Sequence, residues 1–193
     1  MKSFSIFWFR RDIRLEDNIG LSNATKSKHP VIPIFIFDEK ITLNLPKNDK
    51  RINFIFKNLK KLDDLLLEKF NSKLQVFKGD PIEIINRIVK EYNIKEVYTN
   101  HDYEPYAIKR DSLISKNLKN NNIPFYTFKD QVIFEKNEVI KDNGSPYIVF
   151  TPYMRKWKET LKKNYLVLEH SELSNNFHNL DKYNLKEISE YGF

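Results

Sequence analysis

Phe4-Ser5-Ile6-Phe7-Trp8-Phe9, followed at once by Arg10-Arg11-Asp12-Ile13-Arg14-Leu15-Glu16-Asp17-Asn18, decides how this chain is read. The apolar run is far too short for a membrane span or a signal peptide, and no small-residue cleavage site follows it. Hydrophobicity that is continuous rather than alternating marks a strand covered on both faces, as in a parallel sheet. The charged stretch behind it then lies at the strand's carboxyl end, where such sheets gather their ligands.

Working outward, the same signal recurs at Val31–Phe37, Leu74–Phe77, Glu96–Thr99 and Pro124–Phe128. Helical patterns separate these runs. After Arg51, Ile52, Ile55, Phe56, Leu59, Leu62 and Leu66 share one face, with Lys57, Lys60, Lys61 and Asp64 opposite. Asp80-Pro81 reads as an N-cap followed by a first-turn proline, opening a helix that buries Ile82, Ile85, Ile88, Val89 and Tyr92. A further helix is predicted from about Pro105 to Lys119, and a short one from Asp17 to Thr25. Alternating strands and helices predict a doubly wound, Rossmann-like α/β fold: a five-stranded parallel sheet in the order 3-2-1-4-5.

Beyond the fifth strand the pattern changes. Val132–Phe134, Glu138–Ile140 and Tyr147–Phe150, with a turn at Asp142-Asn143-Gly144, read as a short antiparallel excursion. Thr151-Pro152 opens a helix with Tyr153, Trp157 and Leu161 at four-residue steps. Residues 1–130 are therefore expected to form the α/β domain, and 131–164 an excursion and helix that complete it. The polar stretch 165–193 is expected to be an interdomain linker without an evident element.

Composition narrows the function. The chain has no Cys, so disulfides and thiolate metal sites are excluded, and a reducing, cytoplasmic compartment is the expected setting. The net charge of +7 rests on Lys, since only seven of the 33 basic residues are Arg, and a generic Lys-rich surface explains most of it. The arginines are more informative: Arg10, Arg11 and Arg14 cluster in one strand-end loop. With four glycines in all, and none in that loop, neither a GxGxxG dinucleotide turn nor a P-loop is present. His29, His101, His170 and His178 are scattered without metal-ligand spacing, and Ser22 and Ser112 lie outside any nucleophile elbow. No catalytic residue and no metal site is predicted.

Three strings stand in order along the chain: Trp8-Phe9-Arg10-Arg11-Asp12-Ile13-Arg14-Leu15, Asn100-His101-Asp102-Tyr103-Glu104-Pro105-Tyr106, and Asn143-Gly144-Ser145-Pro146-Tyr147-Ile148-Val149-Phe150-Thr151-Pro152-Tyr153 ahead of Trp157. With Gly79-Asp80-Pro81 between them, they resemble the N-terminal region of the DNA photolyase and cryptochrome family, most closely the cyclobutane-dimer photolyases. The resemblance runs from Phe4 to about Trp157. It implies an α/β domain that holds an antenna chromophore (a folate, a deazaflavin or flavin mononucleotide) and passes excitation to FAD in a separate helical domain. That FAD would split pyrimidine dimers in damaged DNA. Its domain would lie C-terminal to these residues, so this stretch alone is expected to be inactive, monomeric and not membrane-bound. The same features leave room for a blue-light-sensing bacterial cryptochrome, or for a nucleotide-binding or interaction module of the same α/β superfamily.

For the antenna site the expected set is Arg10, Phe37, Asp38, Arg51, Asp102 and Glu104. Phe37-Asp38 ends the second strand, and the loop from Asp38 to Lys50, 13 residues, is long enough to bind a ligand. Phe37 can stack a flat ring, Arg51 can meet an acidic tail or phosphate, and Asp102 and Glu104 can accept ring N–H groups. Arg11 and Arg14 read equally as members of a structural ion-pair network. Folate-using relatives place an amide and an acid where this chain has Tyr106 and Ala107, which puts a deazaflavin or flavin mononucleotide ahead of folate.

Overall fold

The computed structural model describes residues 2–163, 172–179 and 183–193. Five parallel strands form one sheet in the order β3-β2-β1-β4-β5: β1 (Phe4–Phe9), β2 (Val31–Asp38), β3 (Gln75–Gly79), β4 (Ile94–Asn100) and β5 (Phe125–Phe128). Every residue of β1 and of β2 is buried, as their unbroken apolar sequences require. The period of two then sorts their side chains. Phe7, Phe9, Phe35 and Phe37 join one core with α1 (Ile19–Thr25) and α3 (Lys50–Phe70). Ile6, Trp8, Ile34 and Ile36 join the other, with α4 (Pro81–Glu91) and α5 (Pro105–Asn120).

Local chemistry fixes the helix ends. Asn18, Asp49 and Asp80 cap α1, α3 and α4 by accepting hydrogen bonds from the amides of Leu21, Arg51 and Ile82. The helix α3 stops where Asn71 turns left-handed at φ 49°, its amide donating back to Leu66 and Leu67. A single turn, α2 (Glu39–Thr42), capped by Asp38, breaks the long loop after β2.

Two expectations are corrected. Among the described residues, 129–149 contain no strand; only the turn forms, with the Gly144 amide donating to the Lys141 carbonyl. Side chains anchor this segment instead. Glu135 binds His101 and Tyr103, and Phe134 packs edge-on against Trp157 of α6 (Phe150–Lys163) at 5.4 Å. Nor is the described part of 165–193 without an element, since it packs along the sheet and forms one 3₁₀ turn. On the β3 side β2 is unpaired before Ile34, and Phe177 fills that gap through a parallel bridge to Val31. The Tyr183 hydroxyl accepts from the Val76 amide at 3.0 Å, satisfying a donor on the open edge of β3. A 3₁₀ turn, Ile188–Tyr191, then brings Tyr191 into the core.

Candidate functional site

The chain runs outward from β1 through β2 to β3, then crosses back to β4 on the other side of β1, so a crevice opens at the carboxyl ends of these strands. Its floor is organised around Asn100, the last residue of β4. The Asn100 amide donates to Asp12 (2.5 Å) and Asn18 (2.9 Å), while its carbonyl oxygen accepts from the Gly20 amide (2.9 Å). A Cβ on Gly20 would collide with that oxygen, so glycine is required there by space rather than by φ.

The three arginines of the first loop reach acids far away in sequence. One guanidinium nitrogen of Arg10 donates to both carboxylate oxygens of Asp111 of α5, and the other donates to the backbone carbonyl of Asn100. Arg14 donates from one nitrogen to both carboxylate oxygens of Asp130. Only Arg11, which is exposed, has loose partners, Asp102 and Glu104 at 3.5 Å each. From Asp111 the network continues to buried Arg110 and on to Asp38, which also accepts from the Tyr106 hydroxyl at 2.8 Å. Burial and the hydrogen bond to Asp38 both push the Tyr106 hydroxyl well above the usual phenol range, so it stays protonated and a donor. Arg10 and Arg110 lie over the Trp8 ring at 5.0 and 4.7 Å. The buried indole N–H of Trp8 has no hydrogen-bond partner among the described residues.

Above this floor lies a cavity of about 290 Å³. Trp8, Phe35, Ile36 and Phe37 form its strand side, Ile41, Thr42 and Leu45 its loop side, and Ile52 and Ile55 its wall on α3; Arg10, Arg11, Asp38, Arg51, Asp102 and Arg110 complete the lining. Five of the six expected residues, Arg10, Phe37, Asp38, Arg51 and Asp102, are thus brought together. Glu104 is not among the lining residues; it caps nothing through its side chain and faces Arg11. Arg51 stands at the rim with its guanidinium folded onto its own helix cap, Asp49, at 2.7 and 3.0 Å. That hydrogen bonding holds the Asp49 carboxyl down at about 2. Trp8, Arg11 and Arg110 are among the lining residues that were not assigned to the site from sequence. Trp8 was hidden inside a strand, and Arg110 carries no local signal because its partner Asp38 is 72 positions away.

Among the described residues no group of His, Asp or Glu is arranged to hold a metal ion, and no helix is long and apolar enough to cross a membrane. His101 is occupied by Glu135 and Thr127.

Comparison with known proteins agrees with this architecture. A deoxyribodipyrimidine photo-lyase of Synechococcus sp. is 30% identical over 79% of this chain, which covers 31% of that protein. Cryptochrome-2 of Gallus gallus is 29% identical over 73% of the chain and is covered to 24%. The chain spans about a third of the length of the photo-lyases it matches. A bacterial class III photolyase from Agrobacterium tumefaciens superposes over 99% of the chain, and 38% of its own, with a TM-score of 0.78 at 23% identity, which shows the shared fold. An archaeal photolyase from Sulfolobus tokodaii, solved with two FAD molecules, matches 69% of the chain and 32% of its own at 36% identity and a TM-score of 0.61. The DNA photolyase family model covers residues 5–172, the whole sheet and the crevice above it, and the chain belongs to that family.

Proposed function

We propose that these residues form the light-harvesting part of a deoxyribodipyrimidine photolyase, with the antenna chromophore seated in the cavity at the ends of β1 and β2. The observation that carries this is the cavity itself: four strand side chains, three of them aromatic, make one side, and cations stand at its rim. A volume of about 290 Å³ is at the small end for ligand sites and suits a flat fused ring with its polar tail outside. The unpartnered Trp8 N–H supplies a buried donor that a ring carbonyl would satisfy. Arg51 and Arg11 stand where an anionic tail would emerge. A deazaflavin or flavin mononucleotide fits these features, and FAD, present twice in the Sulfolobus tokodaii photolyase, shares the same ring. Tyr106, committed to Asp38, takes the position where folate-using relatives carry an amide, which disfavours folate.

When bound, the chromophore absorbs light and passes excitation to FAD in a C-terminal helical domain, which acts on pyrimidine dimers in damaged DNA. This stretch itself orients the ring and keeps water from it. Titration with a deazaflavin, flavin mononucleotide and FAD, followed by fluorescence, tests the reading. Arg51→Ala is expected to weaken binding roughly 5- to 150-fold, the loss of a charge-assisted contact. Absence of binding to all three by folded protein would sink the proposal. Residues 1–193 alone are expected to leave thymine dimers in DNA intact under blue light, and their DNA binding to be weak and steeply salt-dependent.

A further inference from the structure

The segment after α6 touches the cavity from behind. Phe35 and Phe37 line the cavity from the β2 side, with ring centroids 5.0 Å apart. Behind Phe37 stand two rings from the far end of the described chain, Tyr191 at 5.8 Å and Phe193 at 5.0 Å. Tyr191 in turn meets Phe56 of α3 at 6.2 Å. The segment is clamped where it delivers these rings. Glu187 and Glu190 close a capping box at the 3₁₀ turn, and Glu187 pairs with Lys60 of α3. Gly192, at φ 77°, reverses the chain in the left-handed region, and the Lys78 ammonium from β3 lies 4.2 Å over the Phe193 ring.

We propose that Tyr191 and Phe193 are positioning residues for the chromophore site, holding Phe37 in the orientation that stacks the bound ring; this rests on reading the cavity as the antenna site. A ring packed on both sides occupies one rotamer, whereas removal of its backing leaves a void into which it relaxes. A ligand must then reorder Phe37 as it binds, which lowers affinity about 2- to 10-fold. The coupling is reciprocal: a bound ring that holds Phe37 in place also favours docking of residues 183–193.

The test compares wild type, Phe193→Ala, Phe193→Tyr and Ile123→Val. Ile123 lies in the core on the opposite face of the sheet, so its variant reports general loosening alone. Affinity for flavin mononucleotide and for a deazaflavin, the absorption band of the bound ring, and amide exchange in residues 183–193 are measured. Phe193→Ala is expected to bind 2- to 10-fold more weakly with an altered band, Phe193→Tyr to restore both, and Ile123→Val to change neither. Exchange in 183–193 is expected to slow on ligand addition in wild type, Phe193→Tyr and Ile123→Val, and to slow less in Phe193→Ala. If wild type binds and Phe193→Ala matches it in affinity and band, the positioning role is wrong while the antenna reading stands. Equal weakening in Ile123→Val also overturns the role, and wild type that binds neither ring overturns both.

Discussion

Two arginine-bearing loops face each other across the crevice, one after β1 and one after β2, and they use the same residue type in opposite ways. The Arg10 side chain is only 7% exposed, and one of its nitrogens reaches both carboxylate oxygens of Asp111, 101 positions away. Arg51 is 72% exposed, and its partner Asp49 is its own helix cap two positions back. The first pair ties α5 to the end of β1 and shares Asp111 with Arg110. The second ties nothing together, and water or a ligand anion can replace it. A buried guanidinium with an acid fixed by the fold is structural; an exposed one with a local, replaceable partner is available for binding.

The comparison breaks first at Arg10. Asp111→Ala is expected to cost about 3–5 kcal/mol of stability, because it leaves two buried guanidiniums sharing fewer acceptors. Urea unfolding that shows less than about 1 kcal/mol would mean that the network is no more structural than the Arg51 pair. Next comes the floor beneath both loops. Gly20→Ala forces a methyl into the Asn100 carbonyl oxygen and should cost about 1–3 kcal/mol. An unchanged midpoint would show that the Asn100 hub gives way freely.

A smaller effect separates the two ends of the tail by pH. Burial, and then the nearby Lys2 charge, lower the pKa of His178 below its usual 6.5. The folded state therefore binds fewer protons than the unfolded state just below pH 6.5, so stability from this group is present above that pH and falls as pH drops through it. His178 packs on Phe4 at 4.4 Å and bridges to Val31, so acidification should raise amide exchange around residues 176–178 before it affects Tyr191. Uniform exchange across the tail would contradict this. Smallest of all, Arg51→Ala should leave the unfolding midpoint where it is, since the Arg51 side chain is exposed and the Asp49 cap itself remains. A clear loss of stability would place Arg51 in the structural class with Arg10.

Much of the architecture was legible in the residues. Five strands and the major helices follow from apolar runs, 3.6-residue periodicity and caps such as Asp80-Pro81, all short-range signals. The excursion at 132–150 was misread because Val132, Ile133 and Val149 imitate strand composition while they stay exposed; what holds the segment are contacts of Glu135 and Phe134 with other elements. The packing of the tail was missed for the converse reason. Its polar, irregular sequence hides single anchors: Phe177, which bridges to Val31 at the open start of β2, Tyr183, which binds the edge of β3 at Val76, and Tyr191, which enters the core.

The candidate site divides in the same way. By itself the sequence determined which segments become strands and helices, and so that Arg10, Phe37, Asp38, Arg51 and Asp102 lie at or after the ends of the first, second and fourth strands; the strand order that brings these five around one crevice is a tertiary property. Only the tertiary structure decided which charges are already spent. Whether Arg10, Arg11, Arg14, Arg51 or Arg110 is paired depends on acids up to 116 positions away, and on burial, which sets whether water can substitute for the partner. Neither separation nor burial is encoded within reach of the residue itself.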